Sequence, residues 1–413
     1  MADQVPFSSS RLRTAFRRGA LRIDAATPGS RDRAVDALRA LAILGMILGH
    51  WCVTALVAED GALRTDSPLQ YLPRLAPVSW LFQTLAVFFL AGGHGATLSH
   101  ARARARGLTY AQWLRARLSR LTRPVAALLG LWAVAALSLL LSGAPLDTVH
   151  SLLRLALSPL WFLLVLVALT AATPLVRRLH PLWPLAAVLE VDVLRFGLHA
   201  GPSWTGWVNV AAGWLVPFTL GAAWARGELA GRRAGLLLLS GGTVATALLV
   251  TVAGYPASMV GVPGAAVSNL DPPTLAAVTF GLAQCGLALL LREPLRRLMS
   301  RPLVWAGVAL ANVSAMTLYL WHQTALMVTT SAVLLIGDFP GLHTRPDSAA
   351  WVAARLLWLP VFALVLALLW TAFRRCEQRF PHPVAGRRRR GWNRVVRTHR
   401  GPKKEAAREV RRV

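Results

Sequence analysis

Long apolar runs constrain this chain more than any other feature. A helix crosses the hydrocarbon core of a bilayer with about 20 mostly apolar residues. Ten such runs are readable, near 38–58, 77–99, 124–142, 158–176, 182–198, 206–225, 235–254, 273–291, 312–336 and 351–373. Hydrophobic residues make up 55% of the 413 and charged residues 15%, where a soluble chain carries about a quarter charged. That apolar surface is too large for one buried core, so part of it must face lipid. The expectation is an all-α polytopic membrane protein with about ten transmembrane helices. A soluble enzyme, a secreted disulfide scaffold and a disordered regulator are excluded. The run at 182–198 is the weakest, because it holds Glu190, Asp192 and Arg195.

Charge gives the orientation. The net charge is +27, from 43 Arg, 2 Lys and 18 acids. On a soluble protein this would suggest nucleic acid, but here the Arg residues sit between the apolar runs. Basic connections (11–33, 100–123, Arg177 with Arg178, Arg226 to Arg233, Arg292 to Arg301) alternate with connections poor in basic residues. By the positive-inside rule, ten spans then put both termini in the cytoplasm. Three parts follow: a basic cytoplasmic segment 1–36, a ten-helix membrane domain 37–380, and a basic cytoplasmic tail 381–413 expected to be disordered. Arg387 to Arg390 suit the tail to anionic membrane lipid, and no nucleic-acid partner is expected. No cleavable signal peptide is expected, since the first apolar run begins near residue 37. The preference for Arg over Lys reads as the coding bias of a GC-rich genome, which points to a bacterial plasma membrane. Cys52, Cys285 and Cys376 form no metal or disulfide pattern, so no metal site is expected.

Polar groups inside spans are costly and therefore mark function. The first run supplies Asp36, Arg39 and His50, which fall on one helical face at 100° per residue. Arg39 sits at the cytoplasmic mouth, and His50 lies roughly 16 Å deeper. A neutral imidazole serves there as base or nucleophile near neutral pH; the alternative is a histidine that only bonds a neighbouring helix. Asp36 is too far along the helix to touch His50 and pairs with Arg39 at i,i+3. In the ninth run, Tyr319 and His322 share a face in the same way. Asp192 and Arg195 read as an intramembrane ion pair. Trp161, Trp204, Trp207 and Trp214 read as interface-belt residues. Asn269 and Asp271 lie in SNLDPPT (Ser268 to Thr274), either an acceptor contact or a turn before a helix.

These residues also carry a resemblance. Asp36, Leu38, Arg39 and Ala40 followed by His50 resemble the opening motif of the acyltransferase 3 family, an Arg and a His separated by ten residues in the first span. FFLAGGHG (Phe88 to Gly95) resembles the end of its second span. The run Arg115, Arg117, Arg120, Arg123, Pro124 resembles the start of its third. Pro159 to Val176 is similar to its aromatic fourth span, and SAMTLYLWHQ (Ser314 to Gln323) to its penultimate one. Glu377 stands where the family often ends its last span with an acid. The usual small polar residue before the second-span glycine is Ala91 here, and no role is carried to it. The likeness runs over about 31–380.

The resemblance implies O-acyl transfer from acyl-CoA, most often acetyl-CoA, to a hydroxyl of a carbohydrate or glycosylated acceptor, with acyl-CoA a co-substrate and no bound cofactor. His50, Arg39 and His322 are then the expected catalytic residues. Asp36, Tyr319, Arg117, Arg120 and Arg123 are the expected substrate-binding ones. Guanidinium groups at a cytoplasmic face suit the phosphates of the donor. Two other readings compete: a transporter or flippase of an envelope precursor, and a membrane scaffold acting through the basic tail. The lack of an internal repeat argues against an inverted-repeat transporter.

Overall fold

The computed structural model describes residues 9–378 except His199 and Gly201. The tail 381–413 lies outside the described residues, as does the side chain of Glu377. Sixteen helices follow in chain order among the described residues: α1 (Ser9–Ala26), α2 (Arg33–Val53), α3 (Pro68–Tyr71), α4 (Ser79–Phe82), α5 (Leu85–Ala105), α6 (Tyr110–Leu141), α7 (Leu146–Leu157), α8 (Pro159–Ala171), α9 (Thr173–Val176), α10 (Leu182–Asp192), α11 (Val208–Ala225), α12 (Arg232–Thr251), α13 (Leu275–Leu298), α14 (Pro302–Val313), α15 (Ala315–Leu334) and α16 (Ala349–Gln378). Strands β1 (Ala55–Glu59) and β2 (Ala62–Asp66) form an antiparallel hairpin after α2. Asp60 and Gly61, both at positive φ, make its two-residue turn, as Asp-Gly pairs do in tight hairpins.

Eight helical segments are long and apolar enough to cross a membrane, and the pair α14–α15, bent by 73°, makes up to nine. The chain is an all-α polytopic membrane protein, with fewer spans of full length than the ten expected. The difference is the 182–198 run. There α10 stops after 11 residues and gives way to a π-helical turn over Val193–Gly197. At 1.5 Å per residue that is short of a bilayer core. The expected common side of the two termini rests on this segment crossing.

Local sequence sets the helix starts. Asp32 caps α2 by accepting from the amides of Ala34 and Val35. Thr109 and Gln112 form a capping box on α6, which meets two of the unpaired amides of a helix start. The basic segment 100–123 is therefore mostly helical: α5 runs to Ala105 and α6 begins at Tyr110. The basic N-terminal segment holds α1, tied to α14 by Trp305 Nε1 donating to Thr27 Oγ1 (2.9 Å).

α11 lies deepest, with 72% of its most apolar stretch buried, whereas α6, α12 and α16 bury 17% of theirs and present Leu and Val outward. α5 and α11 touch backbone to backbone. A Cβ at Gly93 would clash with the Phe218 carbonyl, and one at Gly221 with the Leu90 carbonyl. Small residues permit such approach where lipid supplies no hydrophobic drive between helices. This contact brings Phe88 and Phe89 of α5 and Trp214 of α11 to one side of the histidines described next. Trp214 is thus buried and stacked on Phe89 at 5.3 Å, while Trp161, Trp204 and Trp207 are exposed as belt residues are.

Candidate active site

α2 carries both ends of the site. Its final turn presents His50, because the helix ends at Val53 and the chain turns into the hairpin. His50 was expected in mid-span of a run reaching 58; it sits instead one turn from the helix end. α15, which begins after the break at Ser314, brings His322 beside it with ring centroids 5.0 Å apart. Trp51 Nε1 donates to the His322 carbonyl (2.9 Å) and locks the two helices together at this level.

Each imidazole has a defined partner. His322 Nδ1 lies 2.5 Å from the Tyr319 carbonyl. A carbonyl only accepts, so Nδ1 carries the proton. His322 Nε2 is buried and has no partner. His50 Nδ1 meets the side-chain amide nitrogen of Gln323 at 3.2 Å. The Tyr319 ring stacks on His322 (5.6 Å), and its hydroxyl donates to the Pro159 carbonyl (3.4 Å). Behind it Phe162 stands 5.2 Å from Tyr319 and 5.1 Å from both Phe88 and Phe89. The pair therefore borders an aromatic wall, whose low polarity strengthens electrostatic interactions relative to water.

The other end of α2 holds Arg39, eleven residues and roughly 16 Å away along one unbroken helix. Gly95 of α5 leaves room for it. The Nη2 atoms of Arg39 and Arg117 come to 3.5 and 3.9 Å from where a Cβ of Gly95 would stand. Arg117 also donates to Ser99 Oγ (3.3 Å), which accepts from Trp113 Nε1 (3.1 Å) as well. Two guanidinium groups thus converge on one side of α5. Arg120 and Arg123 lie further along α6 and are exposed. Asp36 is buried, with Arg31 at 2.5 Å as its near partner and Arg39 at 3.9 Å. The expected Asp36–Arg39 pair is present but secondary, and Asp36 holds the base of α2 in place. Asn312 of α14 donates to the Asp36 carbonyl (2.8 Å) and joins that helix to the same level.

Several motifs noted in the sequence thus meet in space: α5 with FFLAGGHG and α15 with YLWHQ pack on α2, Arg117 of α6 comes near Arg39, and Phe162 of the aromatic α8 packs on Tyr319. A family model for an acyltransferase domain, acyltransferase 3, matches residues 32–374. The chain belongs to the acyltransferase 3 family. No curated protein and no solved structure matches it. It is a membrane acyltransferase, and the acyltransferase domain takes in both the histidine pair and the guanidinium pair.

Other expectations are corrected in the same acyltransferase domain. Asp192 and Arg195 do not pair. The Asp192 carboxylate accepts from Asn209 Nδ2 (2.9 Å), the Tyr255 hydroxyl (3.0 Å) and the Leu275 amide (2.6 Å). A π-helical turn follows Asp192, and the Arg195 guanidinium lies over the Phe196 ring. Burial and then the Asp192 charge push the Tyr255 hydroxyl above its ordinary pKa, which keeps it a donor. Asn269 is buried and donates to the carbonyls of Pro256 and Ser258 while accepting from Thr274. It holds its own loop together, in agreement with the turn reading. Among the described residues no group of His, Cys, Asp or Glu is arranged for a metal ion.

Gln323 and Trp51 were not singled out in the sequence. Adjacent residues on a helix point 100° apart, so Gln323 reads as facing away from His322. A polar amide in an apolar run next to a candidate histidine was the available signal.

Proposed function

We propose that this acyltransferase moves an acyl group, acetyl in the first instance, from cytoplasmic acyl-CoA to a hydroxyl of a carbohydrate or glycosylated acceptor. One observation carries the reading: α2 presents Arg39 at one end, where Arg117 of α6 comes near it, and His50 at the other, where His322 of α15 lies beside it. Arg39 and Arg117 offer forked, permanently charged donors to the phosphates of the donor. The slender arm of acyl-CoA extends from its phosphates toward His50 and His322, where the thioester reacts. The histidine pair supplies the base for the acceptor hydroxyl or carries the acyl group transiently. Tyr319 borders the reacting groups and shapes the wall against which they lie. Arg120 and Arg123, exposed on α6, widen the positive mouth that draws in a polyanion. The same alternation of basic and poor connections supports a cytoplasmic approach of the donor and a plasma-membrane location in a bacterium. The basic tail contributes attachment to anionic lipid.

The test uses purified protein in nanodiscs with radiolabelled acetyl-CoA and an envelope-sugar extract, comparing wild type with His50→Ala. Acceptor-dependent loss of the thioester in wild type, reduced at least 100-fold in the variant, is the expected result. If wild type turns over neither acetyl-CoA nor longer acyl donors, the donor assignment fails.

A further inference from the structure

The two histidines are not equivalent, and their hydrogen bonds differ in kind. The Tyr319 carbonyl can only accept, so His322 carries its proton on Nδ1 and its Nε2 presents a lone pair. That Nε2 is buried and meets no other group, although His322 itself is fully enclosed. An unpaired acceptor in such a place costs free energy unless a donor arrives to use it. His50 is held the other way round. The side-chain nitrogen of Gln323 stands 3.2 Å from its Nδ1, and Gln323 Oε1 is buried without a partner; with the amide placed this way round, Nδ1 accepts and the proton resides on Nε2.

We propose that the pair divides the reaction: His322 is the base that takes the proton of the acceptor hydroxyl, His50 donates Nε2–H to the developing oxyanion, and Gln323 is the positioning residue that sets the His50 tautomer. This rests on the acyl-transfer reading above and deepens it. The rings stand 5.0 Å apart, and in this proposal the hydroxyl and the thioester carbonyl lie between them. The acceptor oxygen gives its proton to His322 Nε2 and forms a bond to the carbonyl carbon. The C=O electron pair moves to oxygen and is met by His50 Nε2–H. The pair then returns, the carbon–sulfur bond breaks, and the thiolate takes the proton from His322. The products are the ester and free CoA thiol, and both histidines end neutral as they began. His50 forms no bond to the acyl group, because its Nε2 is protonated and its Nδ1 is engaged.

Tautomers are read directly by nitrogen NMR of 15N-histidine-labelled protein in lipid, with His50→Asn and His322→Asn assigning the signals among the 10 histidines. Wild type is expected to show His50 as Nε2–H and His322 as Nδ1–H. Gln323→Leu is expected to mix the His50 tautomers and lower turnover about tenfold, with KM for acetyl-CoA within about twofold. Gln323→Glu, whose carboxylate accepts from Nδ1–H, is expected to reverse the His50 tautomer and lower turnover about 100-fold. No acetyl label is expected to stay on the protein. Finding His50 as Nδ1–H in wild type, or label retained on His50, overturns the division of roles. So does a Gln323→Glu variant as active as wild type. The tautomers are measured on the resting protein, so their failure is distinct from a failure of acyl transfer itself.

Discussion

Arg117→Gln tests whether the guanidinium pair exists for a ligand or for the fold. Arg39 and Arg117 reach one point from 3.5 and 3.9 Å, which puts their charged ends at most about 7 Å apart. At an effective dielectric near 20, two like charges at that distance repel by roughly 2 kcal/mol. The nearest carboxylate, Asp36, stands 3.9 Å from Arg39 and is already engaged by Arg31 at 2.5 Å. Against the repulsion stands the Arg117–Ser99 hydrogen bond, which contributes about 1 kcal/mol. Removing the Arg117 charge is therefore neutral or stabilising by about 1 kcal/mol in the resting protein. On the proposed function, the same change removes a charge-assisted bond to donor phosphate, a loss of about 1.5–3 kcal/mol, or roughly 10- to 150-fold in KM. The assay is thermal unfolding in nanodiscs together with KM for acetyl-CoA at two salt concentrations. The expected outcome is an unchanged or raised unfolding temperature with a raised, less salt-dependent KM. A variant that loses more than about 1 kcal/mol of stability while KM stays put refutes the reasoning and makes Arg117 a structural residue.

Three further outcomes follow from the packing. Gly93→Ala places a methyl group against the Phe218 carbonyl and must part α5 from α11; a loss of about 3 kcal/mol or more, read as a fall in unfolding temperature, is expected. Asp192→Ala removes the acceptor shared by Asn209, Tyr255 and the Leu275 amide; it is expected to cost about 3 kcal/mol and to open the 252–274 connection to limited proteolysis, with acyl-donor KM unchanged. Single cysteines at His180 and Trp204, in a background without the three native ones, test α10 with a membrane-impermeant thiol reagent. Labelling from opposite sides of the membrane shows that the short helix crosses; labelling from one side removes the basis for placing both termini in the cytoplasm.

What a local stretch of chain can do was readable from its residues. Apolar length marked every full-length span and, besides them, the shorter 182–198 segment, and the coincidence of Arg39 and His50 on one face followed from helical geometry alone. The motif set that carries the family likeness was equally visible, because it consists of short strings in a fixed order. Helix starts such as Asp32 and Thr109 were likewise local matters of side chain and nearby amide. The failures share a cause. Where an Asp192–Arg195 ion pair was expected, a π-helical turn follows Asp192 and its carboxylate is held instead by three donors from distant segments. Trp214 went inward because α5 and α11 meet at glycines, a fact about two helices and not one.

The sequence by itself determined a polytopic helical protein of this family and named the candidate side chains of its site. Only the tertiary structure decided which of them meet. His50 and Gln323 are separated by 273 positions and come within 3.2 Å; Arg39 and Arg117 approach over a glycine on a third helix. Helical periodicity specifies the direction of a side chain about its own axis and says nothing of which neighbour it faces. That is settled by helix crossing, through the contacts small residues permit and the buried polar groups that must find partners.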